Sequence, residues 1–124
     1  MDIISSILWL TLNVYHEARG EEFLAQVAVA HVTINRARSR HLSVKDTVLQ
    51  DHQFSWTDMP KKKWFPRDLV AFWLCLESVT TAAAGHDFTG GATFYHNYRI
   101  KPYWAASLEP VGLIGNHKFY RQGD

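Results

Sequence analysis

Tyr15-His16-Glu17-Ala18-Arg19-Gly20-Glu21 closes the first apolar segment of the chain with two carboxylates, an arginine and a histidine set beside a glycine. Upstream, Ile4, Ile7, Leu8, Leu12 and Tyr15 recur near helical spacing, and Asp2 stands where an N-cap belongs. The pattern predicts a helix over about 2–18, broken at Gly20. Downstream, Phe23, Val27, Ala30, Ile34 and Ala37 recur every three or four residues, which puts them on one face of a second helix over about 22–38. The seven residues therefore fall in the corner between two helices. There, polar side chains can project into a cleft while the apolar stripes stay in the core.

Farther out, Ser43-Val44-Lys45-Asp46 resembles a capping box with Asp in place of Glu or Gln, and predicts a short helix to Leu49. Residues 50–65 read as loop, with Lys61-Lys62-Lys63 a solvated part of it. Pro66 and Gly85 bracket a third long helix; its Leu69, Val70, Phe72, Trp73, Leu76 and Val79 imply a central, buried position. After residue 85 the character changes. Gly90-Gly91 precedes a strand-like run at 92–97, residues 112–120 form a second strand candidate, and the two can pair antiparallel. The segment between them, with Pro102, Trp104 and Pro110, reads as a long loop. The expected fold class is α+β: mainly helical, with a small antiparallel sheet in the C-terminal third. No repeat or Gly/Ser linker divides the chain, so residues 1–124 are read as one domain.

Composition narrows the function. The 124 residues, 47% hydrophobic with 5 Trp, 7 Phe and 5 Tyr, can build a core, which excludes disorder as the main state. Thirteen Lys and Arg against 12 Asp and Glu leave a formal +1, so nucleic acid is not the expected partner. The single cysteine, Cys75, cannot form an internal disulfide or a Cys-rich zinc site, and between Leu74 and Leu76 it reads as inert core. The apolar run at 3–12 has no preceding Lys or Arg and is far shorter than the ~20 residues of a membrane span. Neither a secretory signal nor membrane insertion is expected. Synthesis in the cytoplasm and a monomeric state are.

Glu17 directly follows an apolar helix, and partial burial would raise its pKa toward what a general acid near neutral pH needs, with Arg19 pulling the other way if close. The competing reading is an exposed helix end with surface ion pairs. His16-Glu17 has Gly20 where a zinc HExxH motif needs its second histidine, and His16, His31, His96 and His117 are scattered. No metal site and no cofactor are expected, and His31 reads as a satisfied core or groove histidine. No GxSxG or GxxxxGK motif is present. Gln53, Ser55, Trp56, Tyr95, His96, Asn97, Asn116, His117 and Tyr120 are the mixture a sugar-binding groove uses, with rings for pyranose faces and amides for hydroxyls. The same rings could equally be core.

Taken in order, Tyr15 to Glu21, then Gln26-Val27-Ala28-Val29-Ala30-His31-Val32 through Asn35-Arg36, Gln53-Phe54-Ser55-Trp56, Gly91-Ala92-Thr93-Phe94-Tyr95-His96-Asn97, Trp104, and Ile114-Gly115-Asn116-His117-Lys118-Phe119-Tyr120 resemble the SleB-type cell-wall hydrolases. That family is named for the spore-cortex-lytic enzymes. The resemblance spans roughly residues 8–121. It departs at Glu22, where many relatives carry Pro, and at Leu24-Ala25, which replaces a common x-Gly. The resemblance implies a lysozyme-like fold related to lytic transglycosylases, peptidoglycan glycan strands as substrate, and Glu17 as the essential glutamate. With it, Gln53, Ser55, Tyr95, His96, Asn116 and Tyr120 become the expected substrate-binding residues. A catalytic domain lacking the family's binding and export segments looks like a bacteriophage endolysin, released to the wall through a membrane pore. The expected reaction cuts between N-acetylmuramic acid and N-acetylglucosamine. Asp51, Asp58 and Asp87 are loop candidates for a second carboxylate, and Glu21 either is that partner, caps the second helix or pairs with Arg19. The alternatives are a metal-dependent N-acetylmuramoyl-L-alanine amidase using His16, His96 or His117, and a non-enzymatic carbohydrate-binding module.

Overall fold

A computed structural model describes residues 2–50 and 53–123. Helix α1 runs Ile3–Ala18, with the Asp2 side chain accepting from the Ile4 N–H as its N-cap. Helix α2 runs Phe23–Arg40 and ends on His41 in the left-handed conformation at φ 55°. Helix α3, Val44–Leu49, is capped by Ser43, which accepts from the Asp46 N–H as its sequence predicts. Helix α4 covers Leu69–Ala84. It begins at Asp68, whose carboxylate takes the Ala71 N–H, and not at Pro66.

The region expected as loop holds two 3-10 turns, Ser55–Asp58 and Lys61–Lys63, and the three lysines are exposed. A third 3-10 turn, Tyr103–Ser107, leads into the sheet. The stretch 112–120 is not one strand. It is most of a hairpin, β2 (Glu109–Ile114) and β3 (His117–Arg121), turning through Gly115-Asn116. Gly115 has φ +58°, the sign that a two-residue hairpin turn needs at its first central position. With β1 (Phe94–Asn97) the sheet is antiparallel in the order β1-β3-β2. Pro110 is tolerated because β2 is an edge strand, and the register shifts between Pro110 and Gly112.

The central element is α2 and not α4. Residues 25–33 of α2 are buried without interruption, and α2 packs against α1, α3, α4 and the sheet. Its Ala25, Ala28, Ala30, Val27, Val29 and Val32 are small enough for neighbours to approach from every side. In α4 only Cys75, Ser78, Val79 and Ala82 are buried, and Trp73 on the outer face is 60% exposed. In α1 the buried stripe is Leu10, Val14, Tyr15 and Ala18, whereas Ile4 and Leu8 are exposed. No helix among the described residues is long and apolar enough to cross a membrane.

Candidate active site

The end of α1 is held by one side chain. Gln26 Nε2 donates to the carbonyls of Ala18, Arg19 and Glu21 at 3.1, 3.3 and 3.4 Å, and its Oε1 accepts from Ser78 Oγ of α4 at 2.7 Å. Carbonyls at a helix end have no partner within the helix. Satisfying them from α2 fixes where the last turn of α1, and with it Glu17, sits.

Glu17 is partly buried. Its Oε1 accepts a 2.6 Å hydrogen bond from the Tyr95 hydroxyl of β1. Burial lifts the Glu17 carboxyl above the ordinary carboxylate range, and the Tyr95 hydrogen bond and the Arg36 charge offset this only in part. Burial and the neighbouring Glu17 hold the Tyr95 phenol protonated well past its usual range, so it stays a donor. Behind the pair stands Arg36 of α2, 7% exposed. Its Nε donates to the Thr93 carbonyl, and its guanidinium lies 5.1 Å from the Phe54 ring centroid and 5.5 Å from that of Phe94. Among the described residues Arg36 Nη1 has no hydrogen-bond partner. The arrangement holds a proton on Glu17 more tightly than an exposed carboxyl would and can stabilise the carboxylate once the proton has left.

The other expected site residues are placed differently. Alternation along β1 sends Tyr95 to Glu17 and His96 to the opposite face. His96 Nδ1 donates to the Asn97 carbonyl at 2.7 Å, so its Nε2 accepts from the Tyr120 hydroxyl at 2.8 Å, and Trp104 packs edge-on to both rings. His96 and Tyr120 thus bind one another and not Glu17. Asn116 lies in the β2–β3 turn, where its backbone N–H and Nδ2 donate to the two Glu21 oxygens at 3.0 and 3.1 Å. Glu21 therefore clamps the hairpin, with His117 Nδ1 at 3.3 Å, and neither caps α2 nor pairs with Arg19 in the structure. Gln53 is exposed and accepts from Arg40 at 2.9 Å. Ser55, also exposed, lines a cleft with His16 and Trp56, whose rings stack at 4.5 Å. Asp87 is engaged by Asn35, Thr89 and Gly91, Asp58 is exposed, and Asp51 lies outside the described residues.

The histidines have separate partners: His16 donates to the Trp64 carbonyl at 2.8 Å, and His31 lies buried 3.8 Å from Asp87. Among the described residues no three His, Cys, Asp or Glu side chains come together as metal ligands. Burial pushes the Cys75 thiol up to about 11, as an inert core residue requires. Arg36 and Gln26 had no functional role in the sequence reading. The available signal was a polar side chain at a buried register of an otherwise apolar helix, which demands a partner.

A family model described as Cell Wall Hydrolase matches residues 20–120. The chain belongs to the cell wall hydrolase family. It is 32% identical over 109 residues to a spore cortex-lytic enzyme of Halalkalibacterium halodurans, covering 86% of this chain and 32% of that protein. A spore cortex-lytic enzyme of Bacillus cereus is 30% identical over 86% of this chain and 40% of its own length. The chain thus spans about a third to two-fifths of the curated relatives it matches. The catalytic domain of the germination-specific lytic transglycosylase SleB from Bacillus anthracis superposes with a TM-score of 0.78 at 28% identity, covering 94% of this chain and 93% of that domain. The Bacillus cereus SleB catalytic domain gives 0.75 at 28%, covering 94% and 91%. The helical domain with its small C-terminal sheet is the fold of these family members.

Proposed function

We propose that the chain is a muralytic glycosidase that cuts the glycan strand of peptidoglycan between N-acetylmuramic acid and N-acetylglucosamine, as a lytic transglycosylase. The observation that carries this reading is Glu17, a carboxyl with a raised pKa that takes a 2.6 Å hydrogen bond from Tyr95. In the proposed reaction Glu17 protonates the bridging oxygen as its bond to C1 of the muramyl residue breaks. The 6-hydroxyl of the same residue then attacks C1, and the Glu17 carboxylate takes the hydroxyl proton. A 1,6-anhydro end forms, no water is consumed, and one carboxyl serves as acid and then base. A hydrolytic route would use a second carboxylate, ~5–5.5 Å away for retention or ~6.5–9.5 Å for inversion. Glu21 and Asp87, two of the candidates, spend their oxygens on Asn116 and on the residue 87–91 loop with Asn35. The similarity to a solved domain named as a lytic transglycosylase supports the same reading.

Glu17→Gln tests the acid. The amide is nearly isosteric and can still accept from Tyr95, but it carries no transferable proton. General acid–base assistance is worth ~10²–10⁴-fold, so the purified, folded variant is expected to clear sacculi at no more than about a hundredth of the wild-type rate. Clearance above a tenth of that rate would remove Glu17 from the role.

A further inference from the structure

Helices α1 and α4 meet along an exposed apolar face. Ile3, Ile4 and Leu8 of α1 and Leu69, Val70 and Trp73 of α4 are between 48% and 80% exposed. At those exposures the six leave roughly 800 Å² in solvent, more than the ~300–600 Å² of the largest apolar patch on an ordinary monomer and about what each partner gives to a standard protein–protein interface. The face is continuous. Ile3, Ile4 and Leu8 line a groove of about 300 Å³ together with Phe72 and Leu76 of α4. On α4, Leu69 stands three residues from Phe72 and four from Trp73, and Trp73 stands three from both Val70 and Leu76, spacings that make neighbours on a helix surface.

The polar groups of this face are already satisfied within the chain. Among the described residues that line the groove the one polar side chain is Thr11, whose hydroxyl donates to the Ile7 carbonyl at 2.7 Å. Trp73 Nε1 donates to Glu77 Oε1 at 3.0 Å, so the indole can be covered without stranding a donor. Asp2 and Asp68 hold N–H groups in the first turns of their helices. Neither residues 3–15 nor residues 69–84 include a Lys or Arg. A helix face that binds anionic lipid carries cations beside its apolar side chains, and here the neighbouring charges are acids. A second apolar protein surface of the same size fits instead, and the face is complementary to itself: a bulky side chain, Trp73, stands exposed beside a groove. A two-fold axis sets one patch against its own copy, so that side chain and groove meet twice. We propose that two copies of the chain pair through this face of α1 and α4, with the Trp73 of each seated in the groove of the other. Glu17, Tyr95 and Arg36 are not among the residues of the face, so the pairing stands independently of the glycosidase reading.

Sedimentation velocity across the micromolar range tests the pairing. The wild type is expected to move from the 14.3 kDa of one chain towards twice that mass as its concentration rises. Leu69→Lys/Trp73→Lys changes two side chains that are exposed in the single chain, so it is expected to keep the wild-type circular dichroism spectrum. It would bring like charges face to face across the two-fold axis, and is expected to stay at 14.3 kDa throughout. Leu8→Glu, on the other helix, is expected to weaken pairing by about tenfold or more, and it keeps the test readable if the double variant fails to fold. A wild type that stays at 14.3 kDa, the monomer expected from the sequence, would overturn the proposal. So would variants that pair as tightly as the wild type, which would put the contact on another surface. Co-sedimentation of a monomeric wild type with phosphatidylglycerol vesicles, lost in the same variants, would overturn it in favour of a lipid surface.

Discussion

At the scale of single residues the proposed function turns on the balance of forces around Glu17. Burial raises its pKa, while the Tyr95 hydroxyl and the Arg36 charge favour the carboxylate. Tyr95→Phe removes one of the latter, so the Glu17 pKa rises further. The alkaline limb of the pH–rate profile, where the acid loses its proton, is then expected to move to higher pH. The maximal rate is expected to fall about tenfold or more, because the carboxylate formed in the transition state has lost a donor. Arg36→Gln is expected to move the limb the same way. A limb that stays in place in both variants would mean that another group titrates. The same balance bears on stability. Glu17 binds its proton more tightly folded than unfolded, so its ionisation costs stability as pH rises from the ordinary carboxylate range through its folded pKa. Glu17→Gln is therefore expected to have a higher Tm than the wild type at neutral pH, with the gap closing below the ordinary range; a lower Tm at neutral pH would contradict the burial argument. The place of Glu17 after an apolar helix suggested partial burial and left an exposed helix end open; the family resemblance is what singled it out, and the structure shows it partly buried. Arg36 was not legible, because its role depends on Phe54, Phe94 and Tyr95, which only the tertiary fold brings to it.

At the scale of elements, the helices were legible and their ranks were not. Periodicity located α1, α2 and α4 to within a few residues, yet it counts apolar residues and not neighbours. It therefore chose α4, with its Leu, Phe and Trp side chains, as central, when the small side chains of α2 are what let four groups of elements pack on one helix. The hairpin was missed for a related reason. Gly115-Asn116 interrupts an otherwise strand-like run by only two residues, and the glycine's φ of +58° is set by the turn. A Cβ at Gly115 would meet the Ala25 Cβ at 2.8 Å, at the start of α2. Gly115→Ala therefore faces both a left-handed backbone and a clash, and is expected to cost ~1–3 kcal/mol, read as a lowered midpoint in denaturant. An unchanged midpoint would show that the turn can open away from α2. The same turn carries Asn116, whose groove-type chemistry was visible in the sequence but whose partner, Glu21, lies 95 positions away in the chain.

Across the whole molecule, buried polar groups tie the site to the core. Trp56 Nε1 donates to Asn13 Oδ1 at 2.8 Å, and Asn13 Nδ2 donates to Thr33 Oγ1 at 3.1 Å, which joins the 3-10 turn at 55–58 to α1 and α2. Gln26 joins α1, α2 and α4 at the acid's helix end. Gln26→Ala would leave the Ala18 carbonyl with the Glu21 N–H and the Ser78 hydroxyl with the Leu74 carbonyl, but would remove the hydrogen bonds that tie α1 and α4 to α2 here. A hydrogen bond lost in this way costs ~0.5–1.5 kcal/mol, so the variant is expected to lose a few degrees in Tm and also to lose activity below its melting range. Full activity in the folded variant would show that Glu17 is positioned without this clamp. The α+β class and the antiparallel C-terminal sheet followed from the change in residue pattern after position 85. The three-stranded order, by contrast, depended on a pairing between distant segments that composition does not encode.

The central claim concerns what one carboxyl can do with no second carboxylate and no water, and the mass of the products reads it directly. Sacculi digested with the purified protein are expected to release muropeptides ending in 1,6-anhydromuramic acid, each lighter by one water than its reducing counterpart. Reducing muramic ends would contradict the transglycosylase route while keeping Glu17 as the acid. Reducing glucosamine ends would move the cut to the other glycosidic bond, and free peptides beside intact glycan would contradict the glycosidase reading altogether.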